Sequence, residues 1–199
     1  ITVDCGVTSI EEVSYARQLG IDVIITDHHV PGDSIPAALA IINSQLEGSS
    51  YPYPYLCGAG IAFKLIQGLY QFVGQPWPIK LLELAALGTI ADLVPLTDEN
   101  RYIVSQGLNG LANTERPGLL ALYKHANVNC SLLTSETVSY QISPRLNSSG
   151  RMANAGISLD LLTTDSYDEA DKLAVKLESL NNQRRILSAK SYDAALQEV

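Results

Sequence analysis

Four clusters in this sequence carry side chains able to do metal or phosphate chemistry: Asp4, the run Asp27-His28-His29, Asp92, and a stretch holding Arg145, Asn147, Gly150 and Arg151. Carboxylate oxygens combined with imidazole nitrogens suit manganese, magnesium or zinc. A carboxylate shared by two divalent ions is the basis of two-metal displacement at phosphorus. Two arginines framing an Asn-Ser-Ser-Gly turn can offer guanidinium forks and backbone amides to a phosphate. Each piece also has an ordinary reading. Asp4 could serve as a turn residue, the histidines as a satisfied loop pair, Asp92 as a cap, and the arginines as solvated surface charge. The first three clusters each follow an apolar element and offer matching ligands, and together they outweigh those separate readings.

The flanking elements explain how residues 23 to 25 positions apart could meet. Ile1-Thr2-Val3 reads as the end of a buried strand, with Asp4-Cys5-Gly6 turning at its carboxyl end. Thr8 or Ser9 then caps a helix, with Glu11 or Glu12 completing a capping-box pattern, and Gly20 ends it. Ile21 to Thr26 is a second strand-length apolar run, and Leu39 to Ile42 a third. Continuous apolar strands joined by a helix predict a parallel crossover covered on both faces. Ligands of such sheets bind beyond the carboxyl ends of the strands, where Asp4 and Asp27-His28-His29 lie.

Further along, Gly48 to Tyr55 reads as a Tyr/Pro/Ser loop, Gly58 to Phe72 and Pro78 to about Ile90 as helices, and 100–142 as short helical pieces. Residues 143–156 read as a polar loop, and 167–199 as one long helix. Gly58-Ala59-Gly60 reads as close packing ahead of phosphate binding. Tyr51, Tyr53 and Tyr55 read as a loop packed on its own aromatics ahead of base stacking, and His125 as a charge at a helix end. The fold class predicted is α/β, a three-layer αβα arrangement with a mostly parallel sheet, then a helical part and a long C-terminal connector helix. The core is expected over 1–166, with a parallel part over about 1–45, a mainly helical part over about 56–142 and a phosphate-facing loop over 143–156.

Composition bounds the function. The chain has 199 residues, 46% of them hydrophobic and 17% charged, which is ordinary for a globular domain. Cys5, Cys57 and Cys130 are odd in number and widely spaced, against a disulfide scaffold or a structural zinc site. No apolar run is long enough to span a bilayer, so no membrane role is expected, and the scattered cysteines read as reduced thiols of a cytoplasmic protein. The formal charge of −8 argues against broad electrostatic affinity for nucleic acid. A nucleic-acid function would need a local basic patch, bound metal ions or another domain.

Val-Asp-Cys-Gly at 3–6, Thr-Asp-His-His at 26–29 and Gly-Thr-Ile-Ala-Asp-Leu-Val-Pro-Leu at 88–96 resemble motifs of the DHH phosphoesterase family. Leu-Cys-Gly-Ala-Gly-Ile-Ala-Phe-Lys-Leu at 56–65 and Ser-Pro-Arg-Leu-Asn-Ser-Ser-Gly-Arg-Met at 143–152 resemble its single-stranded-DNA-specific exonuclease branch, where Ser148 stands in place of an expected Ala. The resemblance implies a 5′-to-3′ exonuclease of DNA repair and recombination that releases 5′-mononucleotides and uses two manganese or magnesium ions. It implies that Asp4 bridges the metals, that His28 and Asp92 ligate one of them, and that His29 contacts the scissile phosphate or a metal. Asp27 would orient the histidines, and Arg145, Asn147, Gly150 and Arg151 would face the DNA phosphates. Single-stranded DNA is the implied partner, with a single-strand-binding protein and a helicase beside it. The family's first motif, an Asp-x-Asp, and a DNA-holding second domain are expected outside residues 1–199, and little activity is expected of this stretch alone. Two alternatives stand beside this reading: a DHH phosphodiesterase acting on oligoribonucleotides or cyclic dinucleotides, and a non-catalytic replication scaffold.

Overall fold

Short β-branched runs between turn residues set the sheet. Thr2–Val3 (β1), Ile24–Thr26 (β2) and Ala40–Ile42 (β3) pair in parallel in the order β1-β2-β3. The register aligns Val3 with Thr26 and Thr26 with Ile42, so the three strands end level. The ladder runs one residue further: Asp4 N–H donates to Thr26 O at 2.9 Å, and Asp27 N–H to Ile42 O at 3.0 Å. Asp4 and Asp27 are thereby locked side by side at the carboxyl edge of the sheet. The α/β class with a parallel sheet matches the sequence expectation. The computed structural model describes residues 1–197, so the last two positions of the expected terminal helix lie outside the described residues.

Helix α1 (Ile10–Gln18) joins β1 to β2, whereas β2 and β3 are joined by a segment without helix. Ser9 occupies the N-cap of α1 but makes no side-chain capping bond, so the capping box expected there does not form. Glu11 and Glu12 still favour the positive end of the helix dipole. Helices α2 (Gly58–Phe72), α3 (Leu81–Ala91) and α4 (Asp98–Ala112) follow. Helix α3 is buried over most of its circumference, as its nearly unbroken apolar sequence requires.

The chain divides into two compact units, Ile1–Gly110 and the residues from Leu111 onward. In the second, α5 (Pro117–Ala126) starts with Pro in its first turn and ends at Asn127 in the left-handed conformation. A 3-10 turn (Cys130–Leu132), a single turn α6 (Ser135–Thr137) and a π-helical segment (Val138–Ile142) lead into α7 (Ser143–Met152). Helices α8 (Gly156–Thr163) and α9 (Tyr167–Gln197) complete the unit. Helix α9 buries Ala170, Ala174, Leu177 and Leu180 in its first half and packs against α5, α7 and α8.

The expected phosphate-facing loop over 143–156 is corrected here: residues 143–152 form α7. Ser, Asn and Gly favour turns because their side chains compete for the backbone or leave it free. In α7 that competition is absorbed inside the helix. The Ser148 hydroxyl donates to Arg145 O at 2.6 Å and the Ser149 hydroxyl to Leu146 O at 3.1 Å. Both serines are buried, and packing against α9 outweighs local propensity. Among the described residues, no helix is long and apolar enough to cross a membrane.

Candidate metal centre and phosphate-facing residues

Three elements bring three donor atoms together. Asp4 follows β1 with φ 63°, a left-handed conformation that Asp tolerates better than most residues and that is enriched at functional sites. His28 follows β2, and Asp92 is the C-cap of α3. His28 Nε2 lies 3.0 Å from Asp4 Oδ1 and 3.6 Å from Asp92 Oδ2. After Asp92 the chain turns at once, because Leu93 is itself left-handed with φ 59°. The capping reading of Asp92 is compatible with the ligand reading: its backbone ends the helix while its carboxylate faces His28.

The close approach of Asp4 requires a glycine. A Cβ built on Gly58, the first residue of α2, would lie 2.3 Å from Asp4 Oδ1. The packing reading of the Gly-Ala-Gly stretch thus has a particular content, since the group packed there is the Asp4 carboxylate. Cys57 caps α2, its Sγ accepting from Gly60 N–H at 3.3 Å. Burial raises its thiol pKa, against its hydrogen bonds with Thr89 and Gly60.

Asp27 organises the loop and is only 1% exposed. Its Oδ2 accepts from Val7 N–H at 2.9 Å. Its Oδ1 accepts from His28 N–H at 2.8 Å, from His29 N–H at 3.2 Å and from the His29 ring at 2.6 Å. Burial alone would raise its pKa, but the hydrogen bonds from Val7, His29 and His28 outweigh it and hold the carboxyl below its ordinary range. An ionised carboxylate only accepts, so the His29 Nδ1 carries the proton and Nε2 is left for another partner. The same bond raises the His29 pKa, burial opposes it, and the charges of Asp27, Asp4 and Asp92 add to the rise. Asp27 therefore holds the His29 ring directly and His28 through its backbone.

The donor set fits a divalent cation. Two carboxylates and an imidazole are hard to borderline ligands. Around a magnesium-sized ion, neighbouring donors at 2.0–2.1 Å in an octahedron stand about 3 Å apart, close to the 3.0 Å between Asp4 and His28. One donor atom each from Asp4, His28 and His29 lie within 4.8 Å of one another, so the tightest cluster holds one carboxylate and two imidazoles, with Asp92 reaching it through His28 Nε2 at 3.6 Å. Burial raises the Asp92 pKa, His28 opposes this, and the Asp4 charge adds to it. Two carboxylates around one imidazole form a negative cluster that a cation would neutralise.

The four candidates on α7 divide between two faces. Asn147, Gly150 and Arg151 are exposed and spaced i, i+3, i+4, which puts them on one side of the helix. Arg145 turns toward α9, where Nε donates to Glu178 Oε2 at 2.5 Å and Nη2 to Oε1 at 3.3 Å. Its Nη1 also donates to Gln141 O at 2.6 Å. Three of its five N–H groups are engaged inside the unit, so Arg145 joins α7 to α9 while Asn147 and Arg151 remain open to a ligand.

Sequence reasoning missed Asn43 and Gln45. Asn43 follows β3 as Asp4 follows β1 and Asp27 follows β2, so the rule that pointed to the other two also covered it. Its Nδ2 donates to His29 O at 2.9 Å, and Gln45 Nε2 donates to His28 O. The tyrosines behave largely as a self-packed loop. Tyr53 is buried with its ring edge-on to Tyr55, and Tyr51 donates to Glu99 Oε2 at 2.6 Å. His125 lies in the last turn of α5, with Nε2 3.0 Å from Asp171 Oδ1.

Residues 1–89 match the DHH family, N-terminal domain. The chain is 44% identical over 199 residues to the single-stranded-DNA-specific exonuclease RecJ of Bacillus subtilis (strain 168), a match covering 100% of this chain and 25% of that protein. It is 41% identical over 197 residues to RecJ of Escherichia coli (strain K12), covering 93% and 34% respectively. Among solved structures it is similar to exonuclease RecJ bound to manganese, with TM-score 0.90, 34% identity, and 100% of this chain and 50% of that chain covered. RecJ from Thermus thermophilus in complex with Mn2+ is similar with TM-score 0.86 and 34% identity, covering 100% of this chain and 29% of that one. The chain thus spans about a quarter to a third of the length of these curated relatives. Residues 1–89 thus carry the N-terminal domain of the DHH family, and along its whole length the chain is similar to the RecJ exonucleases.

Proposed function

We propose that this chain forms part of a metal-dependent hydrolase that degrades single-stranded DNA from the 5′ end to 5′-mononucleotides, in DNA repair and recombination. The observation that carries the reading is the convergence of Asp4 Oδ1 and Asp92 Oδ2 on His28 Nε2, at 3.0 and 3.6 Å, beyond the ends of β1 and β2. Asp4, His28 and Asp92 are the residues that would hold the metal. Manganese or magnesium, bound there, supplies Lewis-acid stabilisation of charge developing on phosphate oxygens. His29, held by Asp27 through Nδ1, presents Nε2 to a phosphate oxygen or a metal. Asn147 and Arg151 on the open face of α7 bind and orient the DNA backbone. The relatives' names support single-stranded DNA as substrate, and the presence of Asp4, His28, His29 and Asp92 supports catalysis over a scaffold role.

In the whole protein, α9 would connect this region to a further domain that grips the strand. A single-strand-binding protein and a helicase are the partners, and the cytoplasm the location, that this reading implies. Full-length protein assayed with manganese and 5′-phosphorylated single strands tests it. Asp4→Ala is expected to abolish mononucleotide release, and turnover preserved in that variant contradicts the assignment. Long single-stranded DNA should be preferred over dinucleotides; the reverse preference would transfer the substrate assignment to short oligonucleotides.

A further inference from the structure

Every polar backbone group of the His28-His29 pair has a partner, and the partners come from two directions. Both N–H groups donate to Asp27 Oδ1. Both carbonyls accept from the segment after β3: His29 O from Asn43 Nδ2 at 2.9 Å, and His28 O from Gln45 Nε2. Asn43 is 5% exposed, and its other side-chain atom, Oδ1, accepts from Gln45 N–H at 2.8 Å. A single buried amide therefore closes its own turn and holds the carbonyl of a site histidine. With the N–H and C=O of both residues fixed, the His28 Cα–Cβ direction is fixed too, and Nε2 is delivered to Asp4 and Asp92.

We propose that Asn43, with Gln45 assisting, is a positioning residue that sets the His28 and His29 rings by clamping their carbonyls. The proposal rests on the reading of Asp4, His28 and Asp92 as a metal site. Asn43 touches neither imidazole and acts only through the backbone. Partners that orient metal-binding side chains typically contribute about 10–100-fold to metal affinity or activity.

The two ends of the Asn43 amide can be separated. Asn43→Asp keeps the acceptor for Gln45 N–H and removes the donor to His29 O, whereas Asn43→Ala removes both. In full-length protein, manganese affinity is read by calorimetry, and kcat and KM on single-stranded DNA by mononucleotide release. Both variants are expected to lose affinity about 10–100-fold and to fall in kcat more than in KM. Gln45→Ala, at an exposed position, is expected to show a smaller loss with an unchanged melting temperature. Wild-type affinity and kcat in Asn43→Asp would overturn the proposal, because the acceptor end alone would then suffice. If neither Asn43 variant folds, Gln45→Ala decides: wild-type affinity there overturns the clamp. His28→Ala is the control; manganese binding retained in it refutes the metal site, whereas binding lost in it but native in Asn43→Asp refutes the clamp alone.

Discussion

Gly58→Ala tests how tightly Asp4 is placed. The added Cβ would sit 2.3 Å from Asp4 Oδ1 and 2.5 Å from its Cβ and Cγ. Ordinary contact needs about 3.5 Å, so carboxylate and helix must separate by about 1 Å. Asp4 has little freedom to retreat, because its N–H is bonded to Thr26 O and its φ is already 63°. Overpacking of this kind destabilises by about 1–3 kcal/mol. Displacing a reacting group by about 1 Å can lower the rate by about 10²-fold. Gly60→Ala is the matched control, since its Cβ would meet nothing closer than Leu56 Cδ2 at 3.4 Å. Manganese-dependent release of mononucleotides from single strands, measured on both full-length variants with thermal unfolding alongside, gives the comparison. Gly58→Ala should lose about 100-fold in kcat while Gly60→Ala stays close to wild type. Equal activities in the two would refute the claim that Gly58 is kept empty for Asp4.

Other expectations follow from the same geometry. Arg145→Ala should lower stability by about 1–3 kcal/mol in chemical denaturation through loss of the Glu178 pair, whereas Arg151→Ala should leave stability alone and weaken single-strand binding at low salt. The Asp27 carboxyl is held below its ordinary value of 3.8, so its stabilising contribution is complete above the unfolded-state pKa and lost as pH falls through the folded one. The difference in melting temperature between wild type and Asp27→Asn should therefore be largest above about pH 5 and shrink below 3.8. Gly118→Ala places a Cβ 1.7 Å from the Leu161 carbonyl oxygen and should destabilise the second unit by about 3 kcal/mol, read by denaturant unfolding.

The sheet and the meeting of Asp4 with His28 were legible because one rule connects them. Apolar runs of strand length end in Asp4 and Asp27, and parallel pairing must bring such ends together. Helix α2 was legible to the residue, since Cys57-Gly58 and Gly74 bracket an uninterrupted amphipathic stretch. Helix α7 was not legible, because Ser148, Ser149 and Gly150 have turn-forming propensity and only contact with α9 makes them helical. Arg145 was read as phosphate-facing because a sequence does not display Glu178, which lies 33 residues away and one helix over. Asn43 was overlooked for a related reason: an uncharged amide after a strand resembles a turn residue until the carbonyl it holds is seen to belong to His29.

The central claim is that Asp4, His28 and Asp92 form a divalent-metal site. Anomalous scattering from crystals of the full-length protein soaked in manganese chloride, recorded at the manganese edge, tests it most directly. A peak within ligand distance of Asp4 Oδ1, His28 Nε2 and Asp92 Oδ2 is predicted. A fully occupied manganese peak elsewhere, with these three side chains uncoordinated, would contradict the account.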